Sequence, residues 1–231
     1  MLLLALLGAA AATPATPLYY NEQLVDHFSA DASTYAQRYY ENSTWWRAPD
    51  GPIVMILGGE GAIEPSTGIF YPWVTDVVAR ELGAHVIEPE HRFYGASQPP
   101  GARRQALLSP QQALADAARL LDAARAARNC TGRDGQPRCP GVTFGGSYPG
   151  WLSAMMRARY PAVVDVAYAA SAPMLFYSQQ VDQAAYYARV TASAESARAG
   201  CSGAVRDGML AVKVGAEFGI PSSDASTTES E

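Results

Sequence analysis

One stretch of this sequence limits the possible folds more than any other, the run from Pro140 to Gly150. Val142 to Phe144 favours a β-strand, two glycines and Ser147 follow, and an amphipathic helical stretch comes next. This order is typical of a nucleophile elbow, in which a serine on a sharp strand-to-helix turn presents its hydroxyl above a sheet. Glycines suit such a turn because it leaves no room for side chains beside the serine. The sequence therefore predicts Ser147 as a catalytic nucleophile.

The residues after Ser147 bear on the second requirement of acyl transfer, the stabilisation of an oxyanion. The backbone N–H of Tyr148, which directly follows the nucleophile, is the first predicted donor. Pro149 replaces the last glycine of the usual Gly-x-Ser-x-Gly pattern. Proline is compatible with this position because the N–H that it lacks would have no intrahelical partner in the first turn of a helix.

Upstream of the elbow, two stretches favour β-strands. The aromatic, alternating run Tyr35–Tyr40 predicts an edge strand. The continuous apolar run Ile53–Leu57 predicts a strand buried on both faces of a mostly parallel sheet. It leads into Gly58-Gly59-Glu60-Gly61. In α/β-hydrolases a loop at this place supplies the second oxyanion donor, so we expect the N–H of Gly59 or Glu60 to be that donor.

Further strands and helices alternate along the chain. Strands are expected at residues 84–88 and 163–170. A helix over 110–127 has Ser109 as its N-cap and Gln112 in position to complete a capping box. Alternation of short apolar strands with helices predicts an α/β domain with a mostly parallel sheet.

Composition restricts the function and the compartment. The net charge is −5 and no basic run stands out, which argues against nucleic-acid binding. We expect no metal or cofactor. Residues 1–15 contain an apolar core and small residues, the pattern of a cleaved signal peptide, and no other segment is apolar enough to span a membrane. The sequence thus predicts a secreted or lysosomal/vacuolar protein.

Glycosylation and disulfide candidates agree with that compartment. Asn42 and Asn129 both begin Asn-x-Ser/Thr acceptor sites. Cys130 and Cys139 flank a Gly- and Pro-containing loop and could form a small disulfide under oxidising conditions. Cys201 is then either unpaired or bonded to a partner outside this sequence.

Besides the elbow, several motifs occur in order over roughly residues 24 to 175. They are Asp26-His27-Phe28, Gln37-Arg38-Tyr39-Tyr40, Gly58-Gly59-Glu60-Gly61, the run Glu90-His91-Arg92-Phe93-Tyr94-Gly95-Ala96-Ser97, Gln112-Ala113-Leu114-Ala115-Asp116 and Ala170-Ser171-Ala172-Pro173. Together with the elbow they resemble one family, the secreted and lysosomal serine peptidases that include lysosomal Pro-Xaa carboxypeptidase, dipeptidyl peptidase II and thymus-specific serine protease.

The resemblance implies an α/β-hydrolase core with a helical domain inserted into it. Residues 16–173 would be the N-terminal part of that core, 174–219 the start of the insertion, and 220–231 a disordered tail. The resemblance also implies a serine exopeptidase that acts on peptides, often with proline next to the scissile bond. Ser147 maps to its nucleophile, which works through an acyl-enzyme. A homodimer of the full-length protein is left open.

The chain departs from this family in one large respect. The triad order in α/β-hydrolases is Ser, then Asp or Glu, then His. Here no histidine follows Ser147, since the three histidines are His27, His85 and His91. Within the Glu-His-Arg motif we expect His91 to be structural. The sequence is therefore interpreted as truncated, without the triad Asp and His.

Alternative functions follow from that gap. The chain could be a catalytically dead remnant, or a lipase or esterase on the same fold. Within the peptidase hypothesis, a dipeptidyl peptidase needs an acidic group for the substrate amine and a carboxypeptidase a cationic group for its carboxylate. Glu60 and Arg92 are possible groups of these two kinds, although structural pairing is the preferred interpretation of both.

Overall fold

The computed structural model describes residues 15–101, 104–130 and 139–217. Nearly all of the predicted signal peptide and the whole of the predicted tail at 220–231 lie outside the described residues. The described chain divides into two units, which meet in sequence between Met174 and Leu175.

The first unit is built on a six-stranded sheet with the order β1-β2-β4-β3-β5-β6. β2 runs antiparallel to both of its neighbours, whereas β4, β3, β5 and β6 are mutually parallel. This is an α/β-hydrolase core with the predicted, mostly parallel sheet. The strands are β1 (Leu18–Leu24), β2 (Thr34–Asn42), β3 (Ile53–Ile56), β4 (His85–Pro89), β5 (Gly141–Gly146) and β6 (Val166–Ala170).

The prediction that Tyr35–Tyr40 forms an edge strand is wrong. The residues do form a strand, but β1 pairs with its outer side and β4 with its inner side. β1 was not expected, because Leu18–Leu24 has no regular alternation of buried and exposed positions. Its pairing with β2 shifts register between Tyr20 and Gln23, and this irregularity explains why the alternation is broken.

The apolar run of β3 explains how the sheet is covered on both faces. Ile53 and Met55 belong to one apolar cluster, which includes residues of the helices over that face. Val54 and Ile56 belong to a second cluster on the opposite face. All four are fully buried. Alternate side chains of a strand point to opposite faces, so a central strand needs apolar residues at every position.

Helices connect the strands of the first unit. A π-helical turn at Val74–Val78 continues into α1 and ends at Gly83, whose left-handed conformation, with φ 64°, closes the helix. The long helix α3 has the bounds predicted from the sequence. The helices are α1 (Ala79–Leu82), α2 (Arg104–Leu107), α3 (Pro110–Ala127) and α4 (Tyr148–Arg159).

The start of α3 differs from the prediction in one detail. Ser109 is the N-cap, and its side chain accepts a hydrogen bond from the N–H of Gln112. The Gln112 side chain does not complete a capping box: its Oε1 accepts from the N–H of His27, and its Nε2 donates to Asp26. The Gln112 side chain thus binds residues that the tertiary fold brings near it, instead of the backbone N–H of Ser109 that a capping box would use.

The second unit is helical. Its helices are α6 (Ala185–Ala197) and α7 (Cys201–Glu217), and the short α5 (Met174–Tyr177) crosses the boundary between the units. Cys201 is not disulfide-bonded. Within the described ranges, no helix combines the length and hydrophobicity needed to cross a membrane.

Candidate active site

The turn between β5 and α4 has the geometry of a nucleophile elbow. β5 ends at Gly146, α4 begins at Tyr148, and Ser147 between them has φ 60° and ψ −127°. L-residues rarely adopt such a backbone conformation, and strain of this kind concentrates at functional sites. The N–H of Ser147 donates to the carbonyl of Ala170 at 3.0 Å, which attaches the turn to β6. The serine is exposed, as the predicted strand-turn-helix arrangement requires.

Close approach of the backbone explains the glycines around the serine. A Cβ on Gly145 would lie 2.0 Å from the carbonyl oxygen of Pro149, and one on Gly150 would lie 2.5 Å from that of Ala170. Neither position can accept a side chain without moving the helix away from the strand. Pro149 itself lies in the first turn of α4, as expected. The local sequence thus fits the tight turn at which Ser147 is held.

The glycine-rich loop after β3 and the elbow line the same cavity, of about 260 Å³. Gly59, Glu60 and Ser147 all line this cavity. A Cβ on Gly59 would approach the Pro149 ring to 3.2 Å, so loop and elbow are close neighbours. Parallel strands present their carboxyl ends at one edge of a sheet, and this edge brings together the residues predicted as nucleophile and oxyanion donors.

A general base for Ser147 is not found among the three histidines, each of which has other partners. His27 Nε2 lies 2.7 Å from Asp116 Oδ1, and His85 Nδ1 lies 2.9 Å from the Ser43 hydroxyl. His91 Nε2 lies 3.0 Å from the hydroxyl of Tyr148. Among the described side chains of the first unit, none forms a hydrogen bond with the Ser147 hydroxyl.

The Glu-His-Arg motif after β4 has a structural role. Arg92 is fully buried and binds Asp116 through two hydrogen bonds, of 2.7 Å from Nε and 2.6 Å from Nη2. Asp116 also accepts from the Tyr35 hydroxyl and contacts His27. Arg92 is therefore already neutralised by a buried carboxylate. Of the two groups considered for substrate recognition, Arg92 is engaged in the framework and Glu60 remains on the cavity wall.

Glu88 is a residue of this site that the sequence interpretation missed. It lies on β4, is 1% exposed, and lines the same cavity as Ser147. Burial raises the pKa of its carboxyl to about 8, although the hydrogen bond from the N–H of Phe70 opposes the shift. A signal was present in the sequence, since Glu88 is the one acidic residue in the run Ala84–Pro89.

A second cavity, of about 200 Å³, lies beside the first and is almost entirely apolar. The two cavities share Tyr71 and Gly146 in their walls. Trp73, Phe144 and Tyr168 line the second cavity, and the Phe144 and Tyr168 rings stack with centroids 5.1 Å apart. Such a wall suits an apolar ring or side chain of a ligand.

The predicted disulfide and glycosylation sites do not line either of these cavities. Cys130 and Cys139 are joined by a disulfide. Asn129 is exposed with φ 52°, and the Asn42 side chain accepts a hydrogen bond from the N–H of Thr44. Across the part of the chain that the structure describes, no three His, Cys, Asp or Glu residues come together in a way that could hold a metal ion.

Comparison with known proteins gives a match to one family model and to several related proteins. The family model described as "Serine carboxypeptidase S28" matches residues 23–222. Lysosomal Pro-X carboxypeptidase of Mus musculus is 39% identical over 165 residues, or 67% of this chain. The same enzyme of Pongo abelii is 34% identical over 81% of this chain. Thymus-specific serine protease of Homo sapiens is 38% identical over 66% of it.

The matched region is a limited part of each relative. It covers 32%, 38% and 29% of those three proteins respectively. Among solved structures, XC6422 from Xanthomonas campestris, described as an α/β serine hydrolase without a lid, matches 63% of this chain at 16% identity with a TM-score of 0.37. A likeness that low has no bearing on function.

Proposed function

This chain belongs to the serine carboxypeptidase S28 family, and we propose that it carries the nucleophile and the oxyanion-binding loop of a serine-type exopeptidase. The observation that carries the proposal is the backbone of Ser147, held at φ 60° and ψ −127° between β5 and α4 on the wall of a cavity. An exposed serine in this strained turn matches the geometry that presents the nucleophilic serine in α/β-hydrolases.

The proposed reaction is acyl transfer. Ser147 Oγ attacks the scissile carbonyl and loses its proton to a general base, which then protonates the leaving amine. The N–H groups of Tyr148 and of Gly59 or Glu60 stabilise the tetrahedral oxyanion. Water hydrolyses the resulting acyl-enzyme. No histidine follows Ser147 in this sequence. The proposed mechanism therefore requires a general base that Ser147, Tyr148 and the Gly59–Glu60 loop do not supply.

The proposed substrates are peptides, with proline next to the scissile bond. Two of the three relatives described above are named Pro-X carboxypeptidases. The aromatic cavity of Trp73, Phe144 and Tyr168 supports this preference, because a proline ring is an apolar group of suitable shape. The release of dipeptides and the removal of a C-terminal residue both remain within the proposal. We further propose a secreted or lysosomal location, and homodimerisation remains a proposal for the full-length protein.

A second candidate function is a catalytically inactive binding protein that retains the fold and the serine. The partners of the three histidines favour it, because without a base the Ser147 hydroxyl stays protonated. An esterase on the same fold is the third candidate, and activity on short acyl esters without activity on peptides would indicate it.

Labelling of the native protein with a peptidyl phosphonate, followed by mass mapping of the modified residue, tests the proposed function. We expect the label on Ser147 and its loss in Ser147→Ala. Ser66→Ala is the matched control, since Ser66 is exposed and does not line the cavity. A folded native protein that takes no label and hydrolyses no proline-containing peptide would establish the inactive alternative.

A further inference from the structure

Two acidic residues line the Ser147 cavity, and Glu88 is the one that is almost completely buried. The other one, Glu60, lies on the loop after β3 and is exposed. Glu88 comes from the carboxyl end of β4, the strand next to β3, and 1% of its surface is exposed. A charge at such a position is costly unless it has a partner, so the identity of that partner matters.

The hydrogen bonds of Glu88 leave one oxygen unused. Its Oε2 accepts from the N–H of Phe70 at 2.6 Å. Within the described ranges, no group donates to Oε1 and no basic side chain forms an ion pair with the carboxylate. Glu90, two residues further on, is the contrast: it binds Arg38 at 2.6 Å and accepts from the N–H groups of Ile63, Ala96 and Ser97. Glu90 is satisfied by the fold, whereas Glu88 is not.

The charges around the cavity select the kind of ligand. Its lining contains the carboxyls of Glu88 and Glu60 and no lysine, arginine or histidine. The nearby arginines are held elsewhere, Arg92 by Asp116 and Arg38 by Glu90. Apolar side chains such as Leu57 and Ile63 form much of the rest of the wall, together with glycines and the side chains of Tyr71 and Ser147. An apolar cavity with only acidic groups favours a cationic ligand and disfavours a carboxylate.

We propose that Glu88 binds the free α-ammonium group of a peptide whose scissile carbonyl lies at Ser147, which makes the site selective for substrates with an unblocked N-terminus. This inference rests on the proposed function and deepens it, because it chooses release of an N-terminal fragment over removal of a C-terminal residue. Glu88 is a specificity-determining residue in this scheme, and the bond cleavage itself stays with Ser147.

The protonation state of Glu88 gives the proposal a distinctive consequence. The raised pKa of about 8 keeps the carboxyl neutral in the empty cavity at pH 6.5. An α-amino group, with an ordinary pKa of about 8, is protonated at that pH. When the ammonium group enters, the carboxyl becomes its counter-ion and loses its proton to solvent. Binding should therefore release close to one proton per site.

The test uses alanyl-proline amide as the probe and N-acetyl-alanyl-proline amide as the matched probe without a cationic amine. Binding is measured by titration calorimetry at pH 6.5 in two buffers of different ionisation enthalpy. The folded Ser147→Ala variant is used, so that the probes bind without turnover. We expect proton release with the first probe and none with the second. Glu88→Gln should weaken binding of the free amine on the order of 10- to 100-fold and leave the acetylated probe unchanged.

Glu64→Gln is the control, because it removes an exposed carboxyl that does not line the cavity. Equal binding of the two probes, an undiminished preference in Glu88→Gln, or loss of the preference in Glu64→Gln would each overturn the inference. If Glu88→Gln does not fold, proton release by the protein with Glu88 intact decides the question alone. Because binding is measured without turnover, failure of Ser147 labelling would refute the proposed function separately.

Discussion

The hydroxyl of Tyr148 lies 3.0 Å from Nε2 of His91, and this contact ties the residue after the proposed nucleophile to the Glu-His-Arg segment at the end of β4. His91 Nδ1 lies 2.8 Å from the carbonyl oxygen of Arg92, and a carbonyl only accepts, so Nδ1 carries the proton. Burial lowers the pKa of His91 and keeps the ring neutral. Nε2 therefore accepts from Tyr148. We infer that His91 positions Tyr148 rather than activating Ser147.

The first prediction concerns that pair. Tyr148→Phe and His91→Phe should each destabilise the protein, and the double variant should cost less than the sum of the two. The expected coupling is about 1 kcal/mol, the usual net value of one hydrogen bond. Urea unfolding of the four proteins measures it. His91→Phe also removes the hydrogen bond from His91 to the carbonyl of Arg92. That loss occurs in both the single and the double variant, so it cancels in the double-mutant cycle. Strict additivity would show that the two side chains do not interact.

The second prediction concerns the buried pair of Arg92 and Asp116. Asp116→Asn removes the counter-charge of a fully buried guanidinium, and we expect a loss of about 3–5 kcal/mol in the free energy of unfolding. Asp122→Asn is the control on the same helix, because the Asp122 side chain is 61% exposed. That change should stay within about 0.5 kcal/mol. Similar losses in the two variants would contradict a framework role for Asp116.

The third prediction concerns pH and Glu88. Its pKa is about 8 in the folded protein against an ordinary value of 4.5, so the folded state holds the proton more tightly. The stabilisation from Glu88 is fully present below pH 4.5 and is lost as the pH rises through 8. The stability of Glu88→Gln relative to the unsubstituted protein should therefore increase over that interval, by about 1.4 kcal/mol for each pKa unit of the shift.

Thermal and urea unfolding at pH 4.5, 6.5 and 8.5 check this expectation. Burial also lowers the pKa of His85, to about 3, so the protein as a whole loses stability below the ordinary pKa of histidine. That effect is the same in both proteins and disappears from their difference. A difference that does not change with pH would mean that Glu88 has an ordinary pKa in the folded state.

The fourth prediction concerns the strain at Ser147. Glycine adopts positive φ without penalty, so Ser147→Gly should remove about 1–3 kcal/mol of strain while increasing the entropy of the unfolded chain. We expect a net gain in the free energy of unfolding of about 1 kcal/mol together with complete loss of phosphonate labelling. Ser66→Gly, at a position without positive φ, should give no gain. A loss of stability in both would argue against strain at the elbow.

Local sequence was sufficient for several elements. The predicted helix at 110–127 has the bounds of α3, and the buried strand at Ile53–Leu57 and the elbow strand correspond to β3 and β5. In each case the signal is periodicity or capping chemistry within one segment. β1 was not predicted, because the register shift between Tyr20 and Gln23 breaks its alternation. The side-chain partners of Gln112 were not predicted, because Asp26 and His27 are distant in sequence and become its neighbours only in the fold.

The same distinction applies to the site. The sequence alone determined that Ser147 lies on a strand-to-helix turn and that no histidine follows it, because glycine and proline restrict the backbone locally and composition needs no structure. Only the tertiary structure decided that His91 meets Tyr148, 57 residues later, and that Glu88 shares a cavity with Ser147. The physical reason is the parallel register of β4, β3 and β5: it aligns the carboxyl ends of strands that are far apart in the chain.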